Sequence, residues 1–94
     1  MAIYLVVPLG DDLSKLQEAL TRAAGSPSSV YKLRNNRGFL VQYPGTTTEL
    51  SDAAGVASGS TKGTTGEALI TLIGSYWGVG PNDMWEWLAS RWGK

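Results

Sequence analysis

Residues 2–9, AIYLVVPL, are apolar at every position. In an extended strand, successive side chains point to opposite faces. Ile3, Leu5 and Val7 then share one face, and Tyr4 and Val6 share the other. A strand apolar on both faces belongs in the middle of a sheet covered on both sides. The chain has 94 residues, which allows one domain with a modest core. The remaining segments must therefore supply two covering layers.

Residues 10–27 read as a helix. Asp11 or Asp12 caps its start, and Leu13, Leu16, Leu20 and Ala23 or Ala24 recur at helical spacing. Gly25 followed by Pro27 ends it. Residues 29–43 read as a hairpin around Asn35-Asn36-Arg37-Gly38, residues that accept positive φ. Thr46 and Glu49 have capping-box spacing ahead of a short helix bearing Leu50, Ala53 and Ala54, which Gly55 ends. Residues 57–66, ASGSTKGTTG, read as a flexible loop. Residues 67–77 read as a long strand, apolar on both faces, with Gly74 marking a bulge or close approach. A closing helix follows over 81–93, with Asp83 and Glu86 at capping-box spacing.

The order is β-α-β-β-α-β plus a helix. It predicts an α+β fold: a ferredoxin-like, four-stranded antiparallel sheet with two helices on one face and the first and third strands in the middle. The extra helix holds three of the four tryptophans, in NDMWEWLASRW, 82–92. At about 100° per residue, Met84, Trp85, Leu88 and Trp92 form its core stripe, and Trp87 falls beyond the edge, near Arg91. Two placements are open. The helix folds back over the uncovered sheet face, or it pairs with a second copy across a two-fold axis.

Composition removes most chemistry. There is no cysteine and no histidine, so there is no disulfide, no thiol nucleophile and no imidazole base or ligand. The absence of cysteine fits a reducing, cytoplasmic compartment. Eight basic and eight acidic residues cancel, which is not the balance of a nucleic-acid-binding chain. No apolar run approaches the ~20 residues of a membrane span. The opening residues lack the charged leader and cleavage site of a secretion signal. GSTKGTTG, 59–66, lacks phosphate-loop spacing and precedes a strand. No catalytic residue, resident metal or cofactor is expected.

Three functions remain. The first is a small non-enzymatic interaction module, a homodimer or an adaptor or inhibitor of a larger protein, with Trp87, Arg91, Trp77 and Tyr76 as contacts. The second starts from IYLVVPL (3–9) and RGFLVQY (37–43). These stretches resemble the first-strand and third-strand motifs of RNA-recognition-motif domains, one residue short in the latter and without the second stacking aromatic. The resemblance implies single-stranded RNA stacked on Tyr4 and Phe39, with Lys32, Arg34 and Arg37 nearby. The third is a metal-dependent hydrolase using Asp11 and Asp12, similar to the aspartate after the first strand of some ferredoxin-like nucleases, such as the CRISPR-associated integration-complex subunit. Helix capping accounts for the same two residues.

Overall fold

The computed structural model describes residues 1–58 and 61–92. It is an α+β fold with a four-stranded antiparallel sheet and three α-helices. The elements are β1 (Ala2–Pro8), α1 (Leu13–Ala24), β2 (Val30–Lys32), β3 (Phe39–Tyr43), α2 (Thr47–Ala53), β4 (Ala57–Ser58), β5 (Thr61–Lys62), β6 (Ala68–Leu72) and α3 (Asn82–Arg91). The sheet order is β2-β3-β1-β6, so β3 and β1 hold the centre. β1 sets Tyr4 opposite Val41 and Val6 opposite Phe39 on one side, and Val6 opposite Ile70 on the other.

Alternation along β1 divides the core in two. Tyr4 and Val6, with Phe39 and Val41 of β3, meet Leu16, Ala19 and Leu20 of α1, Leu50 of α2 and Ala54 at its C-cap. The opposite face carries Ile3 and Leu40, which meet Leu88 of α3. Leu5, Tyr31, Leu33, Ile73, Met84, Trp85 and Trp87 pack around that trio. The molecule is three layers deep, with α1 and α2 below the sheet and α3 above it. The closing helix therefore folds back over its own sheet.

Local signals account for most element ends. The Asp12 carboxylate accepts from the Lys15 N–H at 3.0 Å and caps α1. Gly25, at φ 85°, closes α1 in the left-handed region. Thr46 and Glu49 form the reciprocal capping box of α2. In the β2–β3 connector Asn35 and Asn36 have φ of 59° and 57°, a conformation asparagine tolerates better than most residues.

Three expectations are corrected. Residues 57–66 do not form a featureless connector. β4 pairs with β5, and the Thr65 hydroxyl, buried, donates to the Ala54 carbonyl at 2.6 Å. Gly63 lies against the main chain at Gly55, where a Cβ would collide with the Gly55 carbonyl. Residues 59 and 60, at the start of the same expected loop, lie outside the described residues. The last sheet strand stops at Leu72 rather than 77, and Gly74 sits in the segment beyond it with nothing close to its Cβ position. Finally, Pro81 caps α3 with no side-chain hydrogen bond. Asp83 and Glu86 share the capping spacing, but Asp83 is turned to another partner.

Two substitutions test this packing. Leu88 is only 3% exposed, and Leu88→Ala should cost about 2–5 kcal/mol in urea unfolding; a loss near zero would mean that α3 does not seal the sheet. Gly63→Ala should destabilise by more than about 1 kcal/mol, whereas Gly74→Ala should leave the urea midpoint nearly unchanged.

Candidate functional site

Apart from Trp77, the aromatic residues of 76–92 fall into two groups held by the chain itself. Tyr76 stacks on Trp85 at 5.7 Å between centroids and meets Trp92 edge-on at 4.7 Å. The Trp85 indole N–H donates to the Gly80 carbonyl at 3.2 Å. Trp87 lies 6.1 Å from Tyr31, and its indole N–H donates to the Ser28 carbonyl at 2.9 Å. The Arg91 guanidinium sits 4.9 Å above the Trp87 ring, a cation–π contact at the end of α3. These contacts correct the helical-wheel reading. Trp87 is half-buried and packs with the upper core, while Trp92 is exposed at the C-cap of α3.

A polar latch joins α3 to β2. The Tyr31 hydroxyl donates to Asp83 Oδ2 at 2.6 Å, and Arg34 Nη2 stands 4.0 Å from Asp83 Oδ1. The hydrogen bond to Asp83 is the largest cause that pushes the Tyr31 phenol above its ordinary value. The same bond holds the Asp83 carboxyl below its own. Both side chains of the Arg34–Asp83 pair are mostly exposed, so that ion pair adds little on its own.

Among the four expected contact residues, Trp77 differs from the rest. It is 98% exposed, while Tyr76, Trp87 and Arg91 are half-buried and engaged. Val79, two residues on, is fully exposed as well. Leu69 and Leu72 of β6 are 56% and 55% exposed. The structure thus gathers large exposed apolar residues within one stretch of chain, 69–79. Sequence reasoning missed Leu69 and Leu72 because it assigned 67–77 to a strand covered on both faces, and Val79 because it lies in the turn that follows. The available signal was that 68–73, ALITLI, carries no charge.

The residues expected to bind RNA are not arranged for it. Tyr4 and Phe39 are 3% and 1% exposed, packed against α1 and α2. The Tyr4 hydroxyl donates to the Gly45 carbonyl at 2.6 Å. Neither ring presents a face on which a base can stack. Lys32, Arg34 and Arg37 are exposed on β2 and the β2–β3 connector, and Arg34 faces Asp83. Of the hydrolase pair, Asp12 is the α1 cap. Among the described residues no group of three or more acidic, histidine or cysteine side chains is assembled. Nor, among the described residues, is any helix long and apolar enough to cross a membrane.

The latch has a definite pH signature. Asp83, with its carboxyl depressed, contributes stability above the ordinary carboxylate value near 4, and that contribution is lost as pH falls through its folded value. Tyr31, with its phenol raised, contributes below about pH 10 and loses that contribution as pH rises through its folded value. Tyr31→Phe should therefore lower the thermal midpoint modestly at neutral pH, and its difference from wild type should begin to narrow below about pH 4 and go on narrowing as pH falls toward the depressed Asp83 value. Melting curves of the two proteins across pH check this; no gap at neutral pH would mean the latch contributes nothing, and a gap of constant size into acid would mean the hydroxyl does not act through the Asp83 carboxylate.

No family model, curated protein or solved structure matches this chain.

Proposed function

We propose that this chain is a ferredoxin-like, non-enzymatic interaction domain that works by protein–protein contact through residues 69–79. The observation that carries this reading is Trp77, 98% exposed beside exposed Val79 and downstream of exposed Leu69 and Leu72. Burying one tryptophan removes on the order of 200 Å² from water. Tryptophan left in water is enriched at the energetic centres of interfaces. Trp85 and Trp87 are committed to the fold and Trp92 packs edge-on against Tyr76, so the binding role passes to Trp77. Trp87 and Arg91 act one step back, by holding α3 in place.

The strand order β2-β3-β1-β6, antiparallel throughout, supports the ferredoxin-like assignment. The β4–β5 hairpin and α3 are additions to that plan. The zero formal charge favours contact through apolar surface over electrostatic capture.

The test replaces Trp77 with a photo-reactive benzophenone amino acid, irradiates the protein in extract, and identifies adducts by mass spectrometry. Adducts should form from position 77 and not from position 14, on the outer side of α1. Trp77→Ala should weaken the contact about tenfold or more while leaving the urea midpoint unchanged. A position 77 that yields no protein adduct sinks the reading.

A further inference from the structure

We propose that the edge strand β6 pairs antiparallel with β6 of a second copy, joining two four-stranded sheets into one of eight strands. This rests on the reading of 69–79 as an interaction surface and assigns one part of it, the β6 edge, to a second copy, apart from the contact made through Trp77.

Main-chain direction decides which residues of β6 face away from the sheet. The Ile73 N–H donates to the Ile3 carbonyl, and the Leu9 N–H donates to the Glu67 carbonyl, both at 2.9 Å. Main-chain groups alternate in an antiparallel ladder. Residues 67, 69, 71 and 73 therefore turn toward β1, and Ala68, Ile70 and Leu72 turn their N–H and carbonyl groups outward. No strand lies beyond β6 among the described residues. The groove between α2 and β6, lined by Thr47, Ser51, Val56, Ala57, Ala68 and Ile70, leaves space beside that edge.

Exposed edges are usually protected by charge, proline, a bulge or a covering element. β6 has none of the first two: its sequence is ALITL. Its five pairs with β1 run in unbroken register, so it has no bulge on that side. The other sheet edge, β2, differs, because it spans only three residues and ends on Lys32.

A second copy is the occupant that β6 fits. A two-fold axis through Ile70 sets it opposite its own symmetry mate, an outward-facing hydrogen-bonded pair. The same axis sets Ala68 opposite Leu72 of the other copy, a small side chain against a large one, and Leu69 opposite Thr71. No charge meets a like charge in this register. The zero formal net charge of the whole chain leaves no long-range repulsion between copies. Pairing would cover Leu69 and Leu72, which the single chain leaves half in water. Strand pairing alone gives an interface at the small end of the specific range, below about 1,200 Å² in total. The dimer is therefore expected to be concentration-dependent.

Sedimentation equilibrium of the purified protein, from about 1 µM to about 1 mM, reads it. The mass should rise from monomer to dimer. Leu69→Lys and Thr71→Lys, both at exposed positions, should each raise the dimer Kd about tenfold or more without moving the urea midpoint. Trp77→Ala should leave the dimer intact. Because the chain has no cysteine, register can be read separately. Mixed under mild oxidant, Leu69→Cys and Thr71→Cys proteins should form the mixed disulfide faster than either forms its own. A wild-type chain that stays monomeric throughout overturns the proposal, while adducts from position 77 would keep the broader reading alive. A dimer that survives both lysine variants and shows no 69–71 preference also overturns it, and places self-association elsewhere.

Discussion

Everything above the sheet depends on one contact: Leu88 of α3 against Ile3 and Leu40. β1 is apolar on both faces because it is central, so half of its side chains need a cover that α1 and α2 cannot reach. A second layer could come from another molecule, but here it comes from the last helix of the same chain. That choice settles the state of the aromatic residues around α3. Trp85 and Trp87 are drawn in with the helix, and each spends its indole N–H on a nearby carbonyl. A buried or half-buried indole donor without a partner would cost free energy, so these two bonds also fix the angle at which the helix lies.

The cover is incomplete, and its limits locate the surface on which function is proposed. α3 is tied to the β2 side of the sheet through Tyr31, Ser28 and Arg34. β6 is at the opposite edge, and Leu69, on the face that α3 covers elsewhere, remains exposed. The segment from β6 to α3 must then cross back from one edge toward the other. On the way, Tyr76 is used to pad Trp85 and Trp92, while Trp77 and Val79 are left in water. Neighbours in sequence thus have opposite fates: one ring stabilises the lid, and the next stays in water.

The functional alternatives separate on the same alternation. A base-stacking surface needs aromatic rings on the open face of the sheet. Tyr4 and Phe39 sit one residue away from Ile3 and Leu40, on the face that α1 and α2 cover. A shift of one position reverses the face. The motif-like spacing in residues 3–9 and 37–43 is therefore the spacing of an ordinary core here, with the rings buried.

The sequence by itself determined the three helices and the four strands of the main sheet, the two-faced first strand, and most caps: Asp12, Gly25, the Thr46–Glu49 box, and the asparagine turn at 35 and 36. These are local effects, governed by periodicity and by hydrogen bonds within a few residues. It also determined that imidazole and thiol chemistry are absent. Only the tertiary structure decided where α3 lies, because a helix with apolar residues around much of its circumference docks as well on a partner as on its own sheet. It alone showed that Trp87 belongs to the fold and Trp77 to the surface, since that depends on the reach of Ser28 and Tyr31 from a distant part of the chain. The packing of Gly63 and Thr65 was hidden for the same reason. A glycine-rich, threonine-rich stretch carries no periodicity, and its fit against Gly55 and Ala54 exists only once the helix end and the hairpin meet. The open edge of β6 was hidden too, because strand order in a sheet is set by long-range pairing, and no local pattern states which strand will lack a neighbour.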